Sequence, residues 1–123
     1  MRLRLAALAG ATTVLVAATE IPSPSSGDAA NGARLYQACM GCHSIEENDI
    51  GPSHRGVVGR SAGTVPGYAY SPAIKGSGLV WTPANLDKWL TDPQVLVPGT
   101  KMYFSVSDPR ERADIIAFLA SQK

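Results

Sequence analysis

The chain has 123 residues, 45% of them apolar and 17% charged, with a formal charge of +1. That is the size of one domain with enough apolar material for one core. The near-neutral balance excludes the basic patch or stripe of a nucleic-acid binder.

The first residues read separately from the rest. Met1-Arg2-Leu3-Arg4 is a short basic start, and Leu5 to Ala18 is apolar apart from two threonines and a glycine. Val16-Ala17-Ala18 places small residues where a signal peptidase reads, and Pro22 and Pro24 follow. This order is that of a secretory signal, so residues 1–18 are expected to direct export. One alternative is a helix of the folded domain, but the segment lacks amphipathic periodicity. Another is an uncleaved anchor tethering the protein to the membrane, but the run is shorter than the ~20 residues a spanning helix needs. Losing residues 1–18 removes Arg2 and Arg4 and leaves 9 basic against 10 acidic residues, a charge of −1. Residues 19–27 are rich in Ser and Pro and read as a linker, which leaves 28–123 as the domain.

Asp28 reads as an N-cap for a helix from about Ala29 to Ala38. On it Gly32 and Tyr36 lie one turn apart, a small residue beside a large one, on a face open to close approach by another helix. Glu46 to Ser53 and most of Gly56 to Gly67 have too much Gly, Pro and polar content for regular structure. Ser71-Pro72 is a cap followed by proline at the first helical position, opening a short helix that Gly76 stops. Thr82-Pro83 repeats the signal for a helix carrying Leu86, Trp89 and Leu90 on one face and ending before Pro93. Val97 to Thr100 is a loop. Asp108-Pro109-Arg110-Glu111 opens the last helix, about Pro109 to Ser121, with Ile115, Phe118 and Leu119 as its apolar stripe. No strand pattern competes, so the expected class is all-α: three to five short helices and long loops. Such a chain makes a poor core by itself and would gain from a large apolar group at its centre.

Two cysteines in an exported chain first suggest a disulfide. Cys39 and Cys42 are only three positions apart, however, and His43 follows at once. Cys-x-x-Cys-His is the attachment signature of c-type haem. Two sulfurs at this spacing near a helix end can form thioethers to the two vinyl groups of one haem, and the adjacent imidazole then projects at the iron as proximal ligand. A thioredoxin-like motif would need a βαβ context, and a zinc site would need further ligands beyond His54. For the second axial position, Met1 lies in the signal and Met40 lies inside the attachment loop. Met102, isolated in Pro98-Gly99-Thr100-Lys101-Met102, is the expected ligand. His54 is the competing one, and Met102 as an ordinary core residue is the structural alternative. A thioether on iron raises the potential and fills the sixth site. That implies outer-sphere electron transfer, with no substrate turnover and hence no enzyme activity.

At this point the chain resembles the class I cytochromes c of the soluble mitochondrial and bacterial type. The stretches that carry the resemblance are Gly32-x-x-x-Tyr36, the haem motif, Gly51-Pro52, Gly56-Val57-Val58-Gly59-Arg60 and Pro66-Gly67-Tyr68-x-Tyr70-Ser71. Further on come Trp81, Leu86 with Leu90, Pro98 to Met102, and Asp114 to Leu119. The resemblance implies the cytochrome c fold wrapped around one covalent haem c, and it implies roles. The Pro52 carbonyl would accept the ring N–H of His43. Tyr70 and Trp81 would donate to a buried propionate, with Arg60 near it. Thr100 would position the Met102 loop, and Phe104 would cover the exposed haem edge. The first and last helices would cross where Gly32 meets Phe118 and Ile115.

The chain departs from the family pattern in places. The loop between His43 and Gly51 is short, as in bacterial members. His54 stands where an apolar residue usually packs, and a surface position is expected for it. Ile74 and Trp89 replace the usual Asn and Tyr beside the methionine ligand, which predicts a drier distal pocket. Lysines, the family's usual docking charges, are few: Lys75, Lys88, Lys101 and Lys123. Weak salt dependence and an apolar contact are expected. The expected partners are redox proteins: cytochrome complexes, oxidases, reductases or a periplasmic dehydrogenase. The expected state is a periplasmic monomer with only transient membrane contact unless residues 1–18 stay attached. The rival readings are a dedicated subunit of a dehydrogenase, a haem enzyme or sensor with an open iron site, and a haem-free metal or disulfide module.

Overall fold

The computed structural model describes residues 9–18 and 26–123. The basic start of the export segment and most of the expected linker, 19–25, lie outside the described residues. Residues 9–18 have no regular structure, with Val14, Leu15 and Val16 exposed. Among the described residues no helix is long and apolar enough to cross a membrane.

Every helix of the domain begins where a short polar side chain can satisfy its first free N–H groups. Asp28 accepts from Ala30 and Asn31 and opens α1, Ala29–Leu35. Ser71, Thr82, Asp92 and Asp108 cap four more: α2 (Pro72–Lys75), α3 (Pro83–Thr91), α4 (Pro93–Leu96) and α5 (Pro109–Ser121). Each of these four has proline next, at a position whose N–H would have no helical partner anyway. The first helix tightens into a 3₁₀ turn over Tyr36–Cys39, so the expected stretch to Ala38 is helical with a change of pitch near its end. The helix α4 was not expected. Asp92-Pro93 reads as a terminator of α3, and it is one, but extended Asp92 also caps the turn that follows. Among the described residues there is no strand, only one isolated antiparallel bridge between Ser61 and Val80.

The frame is the crossing of α1 and α5. Gly32 is buried there, and a Cβ on it would lie 1.9 Å from the Asp114 carbonyl oxygen and 2.9 Å from Phe118 Cβ. Phe118 stands at the crossing as expected, and the Asp114 carbonyl comes nearer still, because the backbones approach so closely that it fills the gap. Ile115 also lines the domain's cavity. The Asp114 carboxylate accepts from the Asp28 N–H and the Asn31 amide, both at 2.7 Å, and so ties the start of α1 to α5. The Asn31 bond first, then the Asp28 bond, hold its pKa below the usual value. The core also contains Ile116, fully buried and outside the predicted stripe. Burying a side chain of that size contributes about 2 kcal/mol. Arg112 on α5 donates to Asp87 on α3 at 2.7 Å and to the carbonyls of Val106 and Ser107. These bonds satisfy a buried guanidinium and link two helices to the segment before α5.

Candidate functional site

The helices leave a largely apolar cavity of about 420 Å³. Tyr36, Ile115 and Leu119 line it from the α1–α5 pair, Leu86, Trp89 and Leu90 from α3, and Thr100 to Phe104 from the loop after α4. That volume suits a flat cofactor of a few hundred Å³. All ten residues nominated from the sequence converge on it: Cys39, Cys42, His43, Pro52, Arg60, Tyr70, Trp81, Thr100, Met102 and Phe104.

Local backbone bonds wind the Cys39–His43 segment into place. Cys42 N–H and His43 N–H both donate to the Cys39 carbonyl, at 3.1 and 2.9 Å, which turns both sulfurs and the imidazole to one side. Cys39 is half-buried and Cys42 exposed, and no disulfide joins them. His43 Nδ1 lies 2.8 Å from the Pro52 carbonyl oxygen. A carbonyl only accepts, so Nδ1 carries the proton and Nε2 keeps its lone pair. Gly51 closes the back of the ring, since a Cβ there would sit 2.2 Å from His43 Cε1. Burial, chiefly, lowers the His43 pKa and favours the neutral ring.

His54 is not at the surface as expected. It is half-buried, lines the cavity, and stacks on His43 with ring centroids 3.9 Å apart and planes 21° apart. Its Nδ1 hydrogen-bonds the Tyr36 hydroxyl at 2.9 Å. Burial, then His43 and Arg60, pull its pKa down to about 3, so it is a neutral aromatic surface at ordinary pH. Burial likewise pushes Tyr36 up to about 12. A buried hydroxyl is a partner that only a polar side chain could meet, which accounts for a histidine in an apolar setting.

Arg60 is anchored by donating to the carbonyls of Ser53 at 3.0 Å and Arg55 at 3.3 Å. The Tyr70 hydroxyl accepts from Val65 N–H at 3.0 Å. Trp81 is 7% exposed and packs against Trp89 at 5.0 Å. Met102 is packed against the core and Thr100 is buried. Ile74 and Trp89 add apolar lining to the cavity. The residues missed from the sequence are Tyr36 as the His54 partner, Gln94 beneath the Met102 loop, and Arg112. Gln94 could have been found only by reading Asp92-Pro93 as the start of a helix. Two thiols, an imidazole with a free Nε2 and a thioether around one apolar cavity form a donor set that fits a covalently attached, iron-bearing macrocycle. Among the described residues no cluster of His, Cys, Asp and Glu could hold a metal ion by itself.

Comparison with known proteins gives this arrangement a family. The family model described as cytochrome c matches residues 29–123. The chain is 45% identical over 102 residues to cytochrome c2 of Rhodomicrobium vannielii, covering 80% of this chain and 82% of that one. It is 50% identical over 101 residues to cytochrome c2 of Rhodopila globiformis, covering 79% and 95%. Among solved structures, cytochrome cH from Methylobacterium extorquens superposes with a TM-score of 0.75 at 49% identity, covering 77% of this chain and 99% of that one. Ferricytochrome c2 from Rhodopseudomonas palustris gives 0.74 at 37% identity, covering 78% and 99%. The chain belongs to the cytochrome c family. It is a class I cytochrome c, an electron carrier with one covalently bound haem c.

Proposed function

We propose that this chain is a periplasmic cytochrome c in which Cys39 and Cys42 hold the haem by thioethers and His43 and Met102 ligate the iron. The observation that carries the reading is the His43–Pro52 hydrogen bond. It fixes the tautomer whose free nitrogen can bind iron, on the wall of the cavity that Met102 lines from elsewhere in the chain. When bound, the haem supplies reversible one-electron chemistry at iron. The residues set its conditions. Pro52 raises the basicity of His43, and Arg60, Tyr70 and Trp81 give a propionate donors in a low-dielectric site. Thr100 and the apolar walls Ile74 and Trp89 keep the methionine side dry. With His43 and Met102 both holding the iron, the protein would carry electrons and turn over no substrate.

Electrons leave at the mouth of the cavity, where the exposed rim includes Ile50, Tyr103 and Phe104. Lys101, the nearest lysine in sequence, is drawn back: its Nζ donates to the Ala69 carbonyl at 2.8 Å. An apolar rim with few free lysines suits a redox partner whose contact face is also apolar, such as a cytochrome complex, oxidase, reductase or dehydrogenase. Residues 1–18 serve as the export signal and are removed.

The optical spectrum of the purified ferric protein tests the ligands. The weak far-red band of methionine-ligated ferric haem is expected. Its absence, or rapid carbon monoxide binding by the reduced protein, would show an open iron site and defeat the reading. Haem that stays on the chain through a denaturing gel tests the thioethers. The mass of the protein recovered from periplasm tests cleavage after Ala18.

A further inference from the structure

Pro98 to Met102 has no helix or strand to satisfy its backbone, and Gly99 sits at φ +88° in the left-handed region. Buried or half-buried backbone groups in such a segment need partners from elsewhere. One side chain supplies them. Gln94, on the first turn of α4, donates from Nε2 to the Thr100 carbonyl at 2.8 Å and to the Met102 carbonyl at 2.9 Å. Its Oε1 accepts from Gly99 N–H at 3.4 Å. The amide can face only one way, because the flipped orientation would set its oxygen against two carbonyl oxygens.

The base of this clamp is rigid. Asp92 caps α4 through Gln94 N–H and Val95 N–H, Pro93 is fully buried, and Val97 N–H returns to the Pro93 carbonyl. Gln94 therefore grips three backbone groups of the loop, one of them on Met102 itself, from a fixed platform five to eight residues earlier in sequence.

We infer that Gln94 is a positioning residue for the sixth iron ligand: it holds the Met102 backbone so that the thioether stays on the iron against competing ligands. The inference rests on the proposed ligation by Met102. These bonds hold the closed loop, so removing them weakens that state and raises the population in which the methionine has swung away. Two hydrogen bonds to carbonyls correspond to about a tenfold change in the open population.

The test uses the holoprotein and its Gln94→Glu, Gln94→Ala and Val95→Ala variants. The readouts are imidazole binding to the ferric form and the far-red band, with thermal unfolding followed in parallel. Gln94→Glu keeps the shape but sets a carboxylate against two carbonyls. It is expected to bind imidazole at least tenfold more tightly and to weaken the far-red band. Gln94→Ala is expected to follow with a smaller gain. Val95→Ala, at an exposed neighbour on the same turn, is expected to match the parent. If both Gln94 variants bind imidazole within twofold of the parent, or if Val95→Ala shifts as much as they do, the inference falls. A parent protein without the far-red band shows a different failure, that of methionine ligation itself.

Discussion

The two walls of the cavity are built on different principles. The His43 wall is assembled by neighbours in sequence: Cys39 winds the turn, Gly51 backs the ring, Pro52 fixes its proton, and His54 stacks on its face. All of these lie within 11 residues of His43, and the wall rests on the α1–α5 crossing. The Met102 wall is assembled from several separate segments. Leu90 accepts from Val106 N–H, Ala69 accepts from Lys101, Arg112 holds Val106 and Ser107, and Gln94 holds the loop's centre. The first wall is overdetermined, so losing one contact leaves several. The second hangs a short irregular segment from single side chains, so each is individually important.

That contrast can be broken most severely at its foundation. Gly32→Val would place a side chain inside the Asp114 carbonyl, at a cost above about 4 kcal/mol. Little folded holoprotein is expected, measured as haem-stained protein per cell, and a normal yield would show that the crossing can yield. Next in size is Gly51→Ala, whose methyl group would meet the His43 ring. A loss of about 2 kcal/mol in chemical unfolding is expected, together with an altered haem spectrum, because the ring itself must move.

Sharper still as a probe of the stacked pair is His54→Leu. It leaves the buried Tyr36 hydroxyl without its partner and is expected to cost about 1–3 kcal/mol. Adding Tyr36→Phe removes the orphan, so the double variant should recover much of the loss. Strict additivity in that double-mutant cycle would mean that the two residues do not act together.

Asp114 gives a smaller and pH-dependent effect. Its folded pKa lies below the unfolded one, so the unfolded chain binds more protons as the pH falls. Its contribution is complete above about pH 5 and is lost as pH drops through the lowered folded value. Asp114→Asn should lower stability near neutrality and flatten the acid limb of the stability curve, and an unchanged acid limb would remove Asp114 from the lock. The smallest effect expected is that of salt on electron transfer. With Lys101 drawn back and a near-neutral chain, the rate should fall less than tenfold between low and physiological ionic strength, the low end of what steering provides.

Much of this was legible in the linear sequence because its signals are local. Cap-and-proline pairs mark the starts of α2, α3 and α5, since the free N–H groups and the missing proline N–H concern one turn only. Cys39, Cys42 and His43 declare a haem by spacing alone. The Pro52 bond to His43 is nine residues long and was legible by resemblance. Three features were not. The same Asp92-Pro93 pair can end a helix or begin one, and only the buried ring of Pro93 and the extended backbone of Asp92 decide that it does both. His54 looked like a surface residue because a polar type predicts water, and the Tyr36 hydroxyl that receives it is 18 residues away. Gln94 carries no pattern at all in sequence.

What the sequence by itself determined is therefore the class of fold, the family and the residues that line the cavity, all written in short spacings and local turn chemistry. What only the tertiary structure decided is how firmly each of those residues is held. Firmness depends on which distant backbone and side-chain groups come within hydrogen-bonding or stacking distance, and no spacing along the chain specifies that.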